Sequence, residues 1–252
     1  MVGSSTVKYL DGEDYKYENP ELKIIKGSNK KTPNNAKEKR WVDPIRNKQD
    51  IQKIKDWIIK KMDEAETLYY RKGYARNYVI FVCGINWGLR ISDLLNVKYG
   101  DVFEDDMKTF QEWHRVKEKK TGKRKELYFN KSVREAITSY IKEYNIQPEK
   151  DDFLFCTNKK DENGRYKPVT DAAVESFLKR ACKECGIKGN YNTHSMRKTF
   201  CYQTYMALVN NNDPLALPKV QKFLNHRNQS DTLRYLGLDQ DMGKEISEMV
   251  AL

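Results

Sequence analysis

A chain of 252 residues with 47 Lys and Arg against 36 Asp and Glu carries a formal charge of +11, which directs attention to an anionic partner, nucleic acid first. It has no apolar run of about 18 residues or more and no export signal at its N-terminus, so a membrane span is set aside and a cytoplasmic, nucleoid-associated location is expected. Five cysteines, Cys83, Cys156, Cys182, Cys185 and Cys201, are an odd number without an export signal and read as reduced thiols. Cys182 and Cys185 form a single CxxC pair with His194 not far on. Without a second pair at finger spacing they read as packed thiols rather than zinc ligands, and no metal or cofactor is expected.

Residues 1–46 are polar and hold Lys23, Lys26, Lys30, Lys31, Lys37, Lys39 and Arg40. They read as a basic N-terminal arm or remnant extension, with apolar clusters at 15–17 and 22–25 able to pack on a neighbouring surface. One folded domain is expected over residues 47–252. Asn47 is a plausible cap for a helix carrying Ile51, Ile54, Trp57, Ile58 and Met62. A second helix, from about Ala75 to Gly88, is apolar on several sides and so central to a core. A short helix over 92–96 follows, and Tyr99 to Asp101 turn the chain.

Between Lys108 and Phe129 the pattern changes to alternation, which predicts a β-hairpin with a basic tip at Thr121 and Gly122. Helical spacing returns at Val133, Ala136, Ile137, Tyr140 and Ile141. Residues 153–155 could add a brief strand, and 161–168 read as a loop. Thr170 caps a helix with Val174, Phe177, Leu178 and Cys182 that ends at Gly186. Thr193 opens another through Met196, Phe200 and Tyr205. Shorter helices are expected over 218–224, 230–236 and 243–250. The fold class is therefore mainly α with a small antiparallel β-sheet (α+β).

Exchanging one phosphodiester for another requires an oxygen nucleophile, cations around the phosphorus, and a proton for the departing sugar oxygen. Each has candidates. Arg90, at the end of the apolar helix, could fork onto two phosphate oxygens, with Asp93 three residues on to hold it. Taken singly, an Arg beside an acid at a helix end is an ordinary solvated pair. His194 and Arg197 stand three apart at a helix start and project to one side beside the positive end of the dipole. His226 follows Asn225, which can take the left-handed conformation that ends helices. Tyr235 is one of 16 tyrosines; with an ordinary pKa of about 10, a phenol attacks at neutral pH only where positive charge stabilises the phenolate.

In this order the residues resemble the tyrosine recombinase and integrase family of phage integrases, Xer resolvases and fimbrial invertases. Members carry an Arg with an acid three residues later, a hairpin Lys, HxxR, a His or Trp, and then a Tyr. Here Arg90, Asp93, Lys120, His194, Arg197, His226 and Tyr235 follow that order, and the likeness runs from Asn47 to the C-terminus, making 47–252 a tyrosine recombinase-like catalytic domain. The resemblance implies that Tyr235 attacks the scissile phosphate to leave a 3′-phosphotyrosyl link and a free 5′-hydroxyl. Arg90, His194, Arg197 and His226 would steady the charge. Lys120 would protonate the leaving oxygen, although Lys117, Lys119, Lys123 and Lys125 lie close in the same hairpin. No metal or ATP would be needed. The expected partners are double-stranded DNA and further copies of the chain, as a dimer to tetramer on DNA, with accessory DNA-bending proteins possible and no membrane.

Two features depart from the family pattern. Asn225 stands where Gly usually precedes the second histidine, and the space before Asn47 is too short for the usual helical core-binding domain. The family also uses its last helix to dock on a neighbouring subunit. Here that is 243–250, with Ile246, Met249 and Val250 as its apolar stripe. Packing of the stripe on its own domain is an equal alternative. Two other activities fit the same residues: a type IB topoisomerase, which would not synapse two sites, and a DNA-binding accessory protein that cuts nothing.

Overall fold

The structure, a computed structural model, describes residues 41–238 and 246–250; the basic arm up to residue 40 lies outside them. Helix α1 (Lys48–Asp63) starts where the Asn47 side chain accepts a hydrogen bond from the Gln49 N–H, and it buries Ile54, Trp57 and Ile58 at helical spacing. Packing begins before this cap. Ile45 is buried, and its N–H donates to Thr199 Oγ1 at 2.8 Å.

Helix α2 (Leu68–Trp87) begins at the cap Thr67, well ahead of the Ala75 start that periodicity suggests. Its first turn exposes Leu68, Tyr69 and Tyr70, so no inward-facing pattern announces it. From Ala75 onward the helix is buried on several faces and packs against α1, α4 and α6. It stops at Gly88, whose φ of +59° is left-handed and suits glycine. A Cβ at Gly88 would meet Phe200 Cδ1 at 2.3 Å. Gly88→Ala is therefore expected to cost about 2–4 kcal/mol, from backbone strain plus overpacking, measured as a shift in the urea midpoint.

A short helix α3 (Ile91–Leu94) and a 3-10 turn (Tyr99–Asp101) lead into the hairpin. Strands β1 (Trp113–Lys117) and β2 (Arg124–Tyr128) pair antiparallel, with Val116 opposite Lys125. Helix α4 (Lys131–Glu143), capped by Asn130, follows. A second two-stranded sheet pairs β3 (Cys156–Lys160) with β4 (Tyr166–Pro168) across a turn at 161–165, so the loop expected at 161–168 ends in a short strand. Strand β4 is three residues long and exposed throughout, so it shows no alternation of inside and outside residues.

Thr170 caps α5 (Asp171–Glu184) through the Ala173 N–H. Helix α6 (Thr193–Asn210) opens at Thr193 as expected, with Asn192 as its cap. Helices α7 (Ala216–Leu224) and α8 (Gln229–Leu236) end in left-handed Asn225, φ +59°, and Gly237, φ +76°. A last helical turn spans 246–249; Ile246, Met249 and Val250 are all exposed.

The described residues form a mainly helical fold with two small antiparallel sheets and two apolar clusters. The larger is built around α2, and the smaller gathers Cys201, Val220, Leu224 and Leu236 with Phe200, Phe223 and Tyr235 against them. The five cysteines are unbridged. Among the described residues no three His, Cys, Asp or Glu side chains converge as metal ligands, and no helix is long and apolar enough to cross a membrane.

Candidate active site

Arg90 is the residue just before α3, placed there by the left-handed stop at Gly88. The same stop presents a carbonyl to α6, where Arg197 Nη1 donates to Gly88 O at 2.6 Å. One backbone reversal therefore fixes both guanidiniums, which sequence separates by more than a hundred residues. Arg197 is 3% exposed, and a buried charge of this kind requires a counterion.

That counterion is Glu118, beyond the end of β1, rather than Asp93. The Glu118 side chain is fully buried, with Oε2 at 2.7 Å from Arg90 Nη1 and Oε1 at 3.6 Å from Arg197 Nη1. The Lys125 Nζ lies 3.3 Å from Oε1, and the Thr121 hydroxyl donates to Oε2 at 2.6 Å. Asp93 does not hold Arg90. Its Oδ1 accepts the Lys119 N–H at 2.9 Å, so it ties the hairpin turn to α3, and its Oδ2 is buried without a hydrogen-bond partner.

Burial works to raise the Glu118 carboxyl, but the Thr121 hydroxyl, Arg90 and Lys125 outweigh it and bring it from an ordinary 4.5 to about 2. A folded value below the unfolded one gives stability that is fully present above about pH 4.5 and is lost as pH falls toward about 2. Acid titration followed by circular dichroism is expected to show wild type losing stability in that window, with a flatter curve for Glu118→Gln.

Burial also lowers the Lys125 ammonium from 10.5 to about 8, with Arg197 acting in the same direction and Glu118 opposing. Its Nζ sits 3.7 Å from the centre of the Phe223 ring, a cation–π contact that partly offsets lost water. Neither Glu118 nor Lys125 was singled out by motif, although the hairpin alternation carries the signal. Val116 and Leu127 face inward, and one step of two along each strand reaches Glu118 and Lys125.

Tyr235 comes to the same place from α8. Its hydroxyl is buried without a hydrogen-bond partner of good geometry. Burial drives its pKa well above 10.0, while the neighbouring Arg197 and Arg90 pull it down. The His226 ring packs edge-on to Tyr235 at 5.5 Å, and His226 Nδ1 is 3.1 Å from Thr232 Oγ1. Lys198, buried and also outside the sequence motifs, lies 5.1 Å from the Tyr235 ring centre.

His194 is more peripheral. It is exposed in the first turn of α6, and its pKa is lowered by partial desolvation and then by Arg197. His226 shifts downward as well, through desolvation first, with Arg197 and Arg90 adding to it against Asp231. Both imidazoles are thus biased toward the neutral form. Lys120 is exposed at the hairpin turn, on the rim rather than in the buried cluster; its charge contributes to the downward shift at His194. The structure thus brings Arg90, Arg197, His226 and Tyr235 together and leaves His194 and Lys120 at the edge. Such a cluster of cations and imidazoles around one phenol is suited to receiving an anion beside an oxygen nucleophile.

The family described as the phage integrase family matches residues 46–242. The chain belongs to the phage integrase family. This integrase chain is 30% identical over 200 residues to a probable integrase/recombinase, YoeC, of Bacillus subtilis (strain 168), covering 79% of this chain and 92% of that protein. It is 28% identical over 171 residues to the tyrosine recombinase XerC of Caldanaerobacter subterraneus, covering 68% of this chain and 43% of that one. In fold, this integrase domain is similar to the XerH site-specific recombinase bound to a palindromic difH substrate, with a TM-score of 0.54 at 20% identity over 82% of this chain and 53% of the other. It is likewise similar to the XerA recombinase, at a TM-score of 0.54 and 16% identity, over 84% of this chain and 67% of that one. The chain thus spans nearly all of YoeC but only about half of XerC and XerH.

Proposed function

We propose that this chain is a site-specific DNA recombinase that cleaves and rejoins DNA through a 3′-phosphotyrosyl intermediate at Tyr235. The observation that carries this reading is the placement of one buried phenol beside two guanidiniums, Arg197 and Arg90, in a member of the phage integrase family. The phenol gives up its proton to a base, for which the neutral His226 imidazole packed edge-on to its ring is at hand. Its oxygen attacks phosphorus, the bond to the 5′-oxygen breaks, and that oxygen takes a proton to leave as a hydroxyl. Arg90 and Arg197 bear the charge that grows on the phosphate oxygens, with His226 and His194 at its margin. Lys120 is the family's match for the proton donor. Lys125, a buried ammonium in the same hairpin whose pKa is pulled to about 8, is a second donor of suitable acidity. The partner is duplex DNA, with further copies of the chain assembled on it. One solved structure of similar fold supports this partner: the XerH site-specific recombinase bound to its difH substrate.

The test is incubation with nicked suicide duplexes from the DNA flanking the gene, in EDTA. A protein-linked 3′ end is expected. A 5′ link, or dependence on metal, would overturn the reading.

A further inference from the structure

We infer that Glu118 is a positioning residue whose carboxylate occupies the seat of the scissile phosphate in the DNA-free chain and must be displaced for the phosphate to enter. This rests on the strand-transfer reading of the site. Four groups that suit an anion meet on this one side chain: Arg90 at 2.7 Å, Lys125 at 3.3 Å, Arg197 at 3.6 Å and the Thr121 hydroxyl at 2.6 Å. They are the same cations that would flank a phosphate beside Tyr235. A carboxylate and a phosphodiester in this low-dielectric space would repel each other strongly, so the two are alternatives.

The carboxylate also leaves the site incompletely satisfied. Arg90 Nη1 and Lys125 Nζ are buried with no hydrogen bond of good geometry, although both are close to Glu118. The contacts of Glu118 Oε1 to Lys125 and Arg197, at 3.3 and 3.6 Å, are longer than good charge-assisted hydrogen bonds, and a tetrahedral phosphate offers a different set of directions.

The turn that carries Glu118 provides a route out. Its backbone closes through Glu118 N–H to Lys123 O at 2.8 Å and Gly122 N–H to Glu118 O at 2.9 Å. Lys119, Lys120 and Lys123 are exposed on that same turn, so the cations that meet a DNA backbone are joined to the residue that must move. The orphaned Asp93 Oδ2, beside the bond to Lys119 N–H, is a ready acceptor when the turn shifts. Glu118 thus keeps three like charges in register until phosphate replaces it.

The test is titration with inorganic phosphate at constant ionic strength, by calorimetry, without DNA. Glu118→Gln is expected to raise phosphate affinity about tenfold or more over wild type, because one competing buried charge is removed. Adding Arg197→Ala should abolish the gain. Glu126→Gln, the same charge change at an exposed hairpin carboxylate paired with Arg115, should leave affinity unchanged. An affinity that stays equal or falls in Glu118→Gln, or rises equally in Glu126→Gln, overturns the inference. Should Glu118→Gln not fold, Thr121→Val decides the matter: it keeps every charge while releasing the carboxylate, and a rise of about threefold supports displacement where no rise refutes it. None of these titrations uses DNA or the Tyr235 oxygen. A missing covalent adduct would therefore sink the strand-transfer reading while leaving this result interpretable.

Discussion

Tyr235→Phe is expected to bind duplex DNA with near-native affinity and to form no covalent protein–DNA product, a loss limited only by the detection floor of a denaturing gel. The substitution removes one atom, and that atom has few structural duties. The Tyr235 hydroxyl is buried and lacks a hydrogen-bond partner of good geometry, so its loss orphans nothing. The ring keeps its edge contact with His226, the Lys198 ammonium over its face and its place against the smaller apolar cluster. Stability is expected to change by less than about 1 kcal/mol. A binding-competent, well-folded variant that cannot form the adduct would identify the nucleophile. An adduct formed by the Phe variant would mean that another tyrosine attacks.

The pH dependence should follow from the same environment. Burial raises the phenol while the two guanidiniums oppose it, so Tyr235 rests protonated at neutral pH in the DNA-free chain. Single-turnover cleavage is expected to rise from neutral toward mildly alkaline pH as the phenolate fraction grows. Should Lys125 be the proton donor, that rise would bend over near its value of about 8, as the ammonium loses the proton it must deliver. A profile that keeps rising well beyond this would exclude Lys125 as the donor.

Much of this molecule is legible in the order of its residues, and the exceptions share a cause. Helices α1, α4 and α5 bury one face each, so apolar residues recur at helical spacing and caps such as Asn47 and Thr170 mark where they start. Asn225 takes the left-handed stop foreseen for it. The start of α2 and strand β4 are exposed, and an exposed segment has no inward face to leave a period. The site divides in the same way. Arg90, His194, Arg197, His226 and Tyr235 stand out because a motif orders them. Glu118 and Lys125 lie among many charged residues in a hairpin whose tip reads as basic, and the strand register is what turns these two inward. Asp93 was legible as a supporting acid, but what it supports, the Lys119 backbone, depends on a contact no spacing reveals.

Arg197→Ala is expected to lower single-turnover cleavage by about 100- to 1,000-fold, because it removes a preorganised donor from the charge that grows on phosphate. It should also cost stability, about 3–5 kcal/mol, since the buried Glu118 loses one of its cations and the Gly88 carbonyl loses its donor. The two effects are separable. Arg197→Lys keeps the positive charge near Glu118 and should recover much of the stability, but a lysine lacks the planar fork that bonds Gly88 O while presenting a second edge to phosphate. Cleavage by the Lys variant should therefore stay closer to that of Ala than to wild type, measured well below each variant's melting temperature. If Lys restored cleavage in proportion to stability, Arg197 would be acting only as a buried counterion. A rate deficit that survives full folding would place its guanidinium on the reacting phosphate.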